Sequence, residues 1–99
     1  MFQKKDIIYS ETLGVCRVEE ITRLVDKRGD TIMYYGLKAL SDGKNAYIPI
    51  ENHSVKLREL ISYDDAKKLY DSEQFEDLEE RLKFEIKYVM EEQDASKTH

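Results

Sequence analysis

The sequence predicts a fold that is mostly β plus α, in which a small five-stranded barrel is followed by two C-terminal helices. Short runs of β-branched and aromatic residues alternate with polar turns over residues 1–62. After Ser62 the hydrophobic period lengthens from about two residues to three and four, which is typical of helices. Pro49 falls late in the fourth run. Because proline cannot donate to a β-ladder, this strand should end there or lie at the edge of the sheet.

The first two strands are expected at 6–9 and 15–25, on either side of a polar loop that closes at Gly14. In the second run the apolar residues Val18 and Ile21 are three positions apart, which breaks the period of two. A bulge near Glu19 and Glu20 would return both to the core face and would bend the strand. The sequence therefore predicts a long, bent second strand.

The remaining strands follow from their turns. Gly29, within 27–30, can adopt the positive φ of a hairpin turn that leads into a third strand at 31–40. Both faces of that strand carry apolar residues, so its inward face stays open at this point. The Asp-Gly pair at 42–43 predicts a second hairpin, which leads into a strand that ends near Pro49, and a short last strand is expected at 56–60. Five short strands at this spacing suggest an SH3 or Tudor-like barrel.

Residues 63–99 form the second expected region, a short acidic helical extension with helices near 63–71 and 75–92. Ser62, with Asp65 three residues later, resembles a capping box, and Asp71 with Gln74 could cap the second helix. One apolar stripe at helical spacing marks the second helix: Phe75, Leu78, Leu82, Ile86 and Val89. Residues 93–99 have no apolar anchor and should fray.

Composition favours a single cytoplasmic domain. The chain has 99 residues, one cysteine and no apolar run near the roughly 20 residues of a membrane span. The N-terminus lacks the apolar core of a secretory leader. Residues 1–62 carry ten Lys and Arg against nine Asp and Glu, whereas 63–99 carry six against twelve. An acidic extension repels phosphates, so direct DNA binding should be weak or absent and protein partners are favoured.

The residues offer little for catalysis, and we predict no enzyme, no cofactor and no metal site. His53 and His99 are far apart and neither belongs to a ligand pattern; we expect a surface loop for the first and a chain end for the second. Cys16 lies within an apolar run and should be a buried small hydrophobe rather than a nucleophile. The tyrosines could stack on nucleic-acid bases, but basic residues are sparse around them, so packing on strands is favoured.

An ordered set of motifs covers about 70 residues and resembles the RNA-polymerase-interacting domain of CarD-like bacterial transcription regulators and transcription-repair coupling factors. The motifs are, in order, Phe2, Lys-Asp-Ile-Ile-Tyr at 5–9, Gly-Val-Cys-Arg-Val at 14–18, Tyr-Tyr-Gly-Leu-Lys at 34–38, Pro-Ile-Glu-Asn at 49–52 and Leu-Arg-Glu-Leu-Ile-Ser at 57–62. No single motif is specific, but the ordered set is.

The resemblance implies a Tudor-like barrel that docks an edge strand against the N-terminal lobe of the RNA polymerase β subunit. Family contact residues lie on the strand that leads into the proline and on the arm after the Gly-Val strand. The matching positions here are Arg23, Leu24, Ala46, Tyr47, Ile48 and Pro49. Family members often carry a basic residue where this chain has Tyr47.

A larger departure concerns DNA. Full-length relatives continue into a helical domain that presents a tryptophan and basic residues to promoter DNA, whereas this chain has no tryptophan and an acidic helical region. Promoter binding is therefore not carried over. A different hypothesis is a self-associating structural or antagonist protein that forms a homodimer through the 75–89 stripe or through the open edge strand.

Overall fold

The computed structural model describes residues 2–51 and 55–97, with the side chains of 93–97 left aside. His53, His99 and Asn52 of the Pro-Ile-Glu-Asn motif lie outside the described residues. Five strands and two α-helices follow one another along the chain: β1 (Ile7–Ser10), β2 (Gly14–Val25), β3 (Thr31–Ala39), β4 (Asn45–Pro49), β5 (Leu57–Glu59), α1 (Tyr63–Tyr70) and α2 (Glu80–Lys97). A 3₁₀ turn, Phe75–Asp77, lies between the two helices.

The strands form one antiparallel sheet in the order β4-β3-β2-β1-β5. The sheet is open, since β4 and β5 are its two outer strands. The predicted five strands and two C-terminal helices are confirmed, whereas the SH3 or Tudor-like barrel stays a prediction.

The predicted bulge in β2 is confirmed. Val18 pairs with Leu37 and Glu20 with Gly36, so Glu19 is the extra residue where the register shifts. The bulge restores the alternation: Ile21 lies opposite Tyr35 and packs against the same core as Val18. Without it, Glu20 and Thr22 would face the core in place of Ile21.

The two faces of the sheet differ in what covers them. We call inner the face that carries the core cluster, which consists of Ile8, Cys16, Val18, Tyr35, Leu37 and Ile48. The question left open for β3 is thereby answered, since Tyr35, Leu37 and Ala39 are buried. Tyr34 and Lys38 therefore point to the opposite, outer face.

Helix α1 begins as predicted. The Ser62 side chain accepts a hydrogen bond from the Asp65 backbone N–H at 3.2 Å. Ala66 is fully buried and forms a second hydrophobic cluster with Phe75 and Ile86.

The predicted second helix from 75 to 92 is wrong at both ends, because α2 begins at Glu80 and continues to Lys97. The chain is extended at Leu78 (φ −75°, ψ 156°), which separates the 3₁₀ turn from α2. Asp71 follows the last turn of α1 and does not cap the second helix. The break lets the Phe75 ring pack on Tyr70, with ring centroids 5.0 Å apart, an arrangement that local helix propensity does not encode.

Candidate functional site: the free edge of β4

The edge of β4 presents backbone groups that no neighbouring strand uses. The Ile50 N–H donates to the Met33 carbonyl at 2.9 Å, and the Lys44 carbonyl accepts from Ala39 at 2.8 Å. Residues two apart point their backbone groups the same way in an antiparallel strand, so Ala46 and Ile48 also face β3. The alternate residues are Asn45, Tyr47 and Pro49, and their backbone groups face away from the sheet.

Pro49 therefore occupies a position at which the missing N–H costs no bond to β3. It lies opposite Tyr34 in the ladder and is counted within β4. The predicted edge position of the proline-ended strand is confirmed by the strand order, in which β4 is outermost.

The outer face beside this edge is partly apolar and exposed. Leu24 pairs with Ile32, and Tyr34 pairs with Pro49, so these four residues lie on the same face of neighbouring strands. Leu24 is 50 % exposed and the other three are half-buried. We call this set, Leu24, Ile32, Tyr34 and Pro49, the outer apolar patch.

Tyr47 crosses the outer face next to the patch. Its hydroxyl donates a hydrogen bond to Glu20 Oε1 at 2.8 Å, and Gly36 lies beneath the contact, paired with both residues in the ladders. A Cβ on Gly36 would lie 2.7 Å from Glu20 Cγ and 3.1 Å from Tyr47 Cε1, so glycine is what permits the approach. The hydrogen bond to Glu20, together with its negative charge, raises the pKa of Tyr47 above its ordinary value.

The six predicted contact residues divide between the two faces. Leu24, Tyr47 and Pro49 lie on the outer face and form one surface with Tyr34. Ala46 and Ile48 point to the inner face, where Ile48 is buried in the core. Their side chains therefore support the sheet.

Arg23 also lies on the inner side of the sheet, since it pairs with Met33, but near the end of the β2–β3 hairpin, where it is exposed. Sequence reasoning missed Glu20 and Gly36. No spacing pattern could have found them, because they meet Tyr47 only through pairing across three strands.

At the end of the outer face formed by β1 and β5, an ion pair between Arg58 and the buried Glu85 joins the sheet to α2. Arg58 donates from both terminal nitrogens to the carboxylate of Glu85, each at 2.7 Å, and the Ile61 N–H donates to the same carboxylate at 3.0 Å. Glu85 is fully buried, whereas the guanidinium lies 4.1 Å above the Tyr9 ring and is partly exposed. Burial, then the charge of Glu85, raises the pKa of Tyr9.

A cleft of about 790 Å³ opens beside this ion pair, lined by charged groups of both signs that include Lys56, Arg81 and Glu79.

Cys16 is buried in the core, and burial raises the pKa of its thiol to about 11. A thiol of this kind is neutral and unreactive at physiological pH. Within 2–51 and 55–97, no three His, Cys, Asp or Glu residues are placed to hold a metal ion.

No protein-family model, no curated protein and no solved structure matches this chain. Among the residues that the structure describes, no helix is long and apolar enough to cross a membrane.

Proposed function

We propose that this chain is a CarD-like bacterial transcription regulator that binds the N-terminal lobe of the RNA polymerase β subunit through β4. The observation that carries the proposal is the free edge, where the backbone groups of Asn45, Tyr47 and Pro49 point away from the sheet. Addition of a strand to such an edge is a recurrent way of binding an extended segment. The ordered motifs between Phe2 and Ser62 supply the identity of the partner, because the domain that they resemble docks in this manner.

The proposal includes a Tudor-like curvature of the sheet. Core residues come from strands at both ends of the strand order, since Ile48 of β4 and Leu57 of β5 pack in the same inner cluster. The bulge at Glu19 supplies additional bend in β2. A sheet that curves around one small core in this way still has two edge strands, β4 and β5, unless these two strands pair with each other.

We further propose that the protein acts in the cytoplasm on the polymerase and not by holding promoter DNA. The helical extension is acidic, and Glu76, Glu79 and Glu80 lie exposed around the start of α2. Such a surface repels the phosphate backbone. We therefore expect no duplex binding that falls steeply with salt, the signature of a DNA-binding surface.

The test is a binding titration against a purified N-terminal lobe of the β subunit, read by biolayer interferometry. We expect Tyr47→Ala and Leu24→Glu to weaken binding at least tenfold, because the first removes the exposed ring and the second places a charge on the apolar part of the docking surface. Leu69→Glu is the matched control: Leu69 is a partly exposed leucine on α1 and should leave binding unchanged. Absence of binding by the unaltered protein at tens of micromolar would refute the proposal.

Self-association through the same edge is the second candidate function. Of the 75–89 stripe, Phe75 and Ile86 are buried against α1 and cannot serve a second copy without unfolding the helical region. The free edge remains available to a second copy. Multi-angle light scattering distinguishes the candidates, since an 11.7 kDa species favours the monomer and twice that mass favours the dimer.

Asn45→Pro refines this second test. The Asn45 N–H points away from β3, so proline removes an outward donor without breaking a bond within the sheet. An edge-paired dimer should dissociate in this variant.

A further inference from the structure

Tyr47 and Glu20 together form a polar spot on the outer face beside the free edge. Tyr47 is 57 % exposed, and its hydroxyl donates to Glu20 Oε1 at 2.8 Å. Gly36 beneath them leaves room for both side chains to lie against the sheet. The hydrogen bond therefore holds an open aromatic face next to an exposed carboxylate. We call this arrangement the Tyr47–Glu20 pair.

The negative charge of the pair is not neutralised by the cations of the described outer face. Arg17 is paired with Glu19 at 3.1 Å. The Lys38 side chain leans along the turn at Gly43, with its Cε 4.0 Å from the position of a Gly43 Cβ. Within the described residues, Glu20 itself has no ion pair. An uncompensated carboxylate and the exposed face of an aromatic ring each attract a cation.

We infer that the Tyr47–Glu20 pair receives an arginine from the strand that docks on β4. The inference rests on the proposed strand addition and specifies the chemistry of the partner. Because the outward backbone groups of Tyr47 would bond the docked strand, one residue of that strand lies directly beside Tyr47 on the outer face. A guanidinium there can stack on the ring and bond the carboxylate in the same plane.

Arginine fits this pair better than lysine does. A planar guanidinium stacks on an aromatic face and presents a fork of donors, whereas an ammonium offers a compact, strongly hydrated point charge.

The experiment uses three acetylated and amidated peptides, Thr-Val-X-Val-Thr, in which X is arginine, citrulline or glutamate. Each is titrated to several millimolar into ¹⁵N-labelled full-length protein, and the amide shifts of Asn45 and Tyr47 are followed. We expect the arginine peptide to bind roughly fivefold more tightly than the citrulline peptide and the glutamate peptide to bind most weakly. Citrulline keeps the shape of the arginine but not its charge.

Glu20→Gln is the decisive variant, because glutamine can still accept the tyrosine hydrogen bond while removing the charge. The preference for arginine should disappear in this variant. Glu19→Gln is the matched control, since Glu19 is the adjacent carboxylate and is already paired with Arg17; the preference should persist. Equal binding of the three peptides, no binding of any, or a preference that survives in Glu20→Gln would overturn the inference.

The same variants separate this inference from the proposed function. If the β-subunit lobe binds and Glu20→Gln leaves the affinity for the lobe unchanged, the proposed arginine contact is refuted and strand docking stands. If the lobe does not bind at all, the polymerase proposal fails, and the peptides still decide whether the edge prefers arginine.

Discussion

Arg58→Met should destabilise the protein far more than its partly exposed position suggests. The substitution keeps an apolar side chain over Tyr9 but removes both donors to Glu85, which lie at 2.7 Å. Glu85 is 1 % exposed at its side chain, so its charge would remain buried while the Ile61 N–H still donates to it. Breaking a buried ion pair typically costs about 3–5 kcal/mol.

We expect a loss of about 3 kcal/mol, at the low end of this range, because the Arg58 side chain is 42 % exposed and water can approach from that side. For a domain of this size, each kcal/mol shifts Tm by about 4–8 °C. Urea denaturation followed by circular dichroism at the helical band gives the free energy of unfolding directly.

Arg17→Met is the matched control. The Arg17 side chain is also 42 % exposed, but its partner Glu19 is 39 % exposed and can be hydrated when the pair is broken. The expected loss is within about 1 kcal/mol, as for surface ion pairs. Equal losses in the two variants would refute the reasoning, because they would show that burial of the partner carboxylate does not set the cost.

Three further predictions follow from the edge and the core. Gly36→Ala places a Cβ 2.7 Å from Glu20 Cγ; we expect about 1–3 kcal/mol of destabilisation in urea and loss of the Tyr47 hydrogen bond. Glu20→Gln should lower the pKa of Tyr47 part of the way toward its ordinary value, because glutamine keeps a hydrogen-bond acceptor, the larger cause of the raised pKa, but removes the negative charge; NMR titration of the Tyr47 ring measures this, and an unchanged pKa would contradict it. Cys16, with a thiol pKa of about 11, should react with Ellman's reagent only on unfolding, and rapid reaction of the native protein at pH 8 would show that the core is open.

Much of the sheet could be predicted because its determinants are local. The positive φ of Gly29 and Gly43 marks two hairpin turns, and the three-residue spacing of Val18 and Ile21 marks the bulge. The edge position of Pro49 follows from a missing donor. Each of these properties belongs to a residue and its immediate neighbours, so the sequence carries it directly.

The start of the second helix could not be predicted correctly, because it depends on packing between distant residues and not on local sequence. Phe75 and Leu78 continue the helical spacing of the stripe, so the pattern indicates one helix from 75 onward. The packing of Phe75 against Tyr70 and Ile86 favours a 3₁₀ turn and an extended Leu78 instead. A hydrophobic period shows which residues seek a core, but it does not show how the chain turns to reach it.

By itself, the sequence determined the order of strands and helices, the turns, the bulge and the strand that must lie at an edge. The tertiary structure decided which face of that edge is available, since alternation along β4 buries Ile48 and exposes Tyr47. It also brought Glu20 to Tyr47 and Glu85 to Arg58, each across 27 positions of the chain. Such pairs depend on strand register and helix docking, which arise from packing of the whole chain and leave no periodic trace in the sequence.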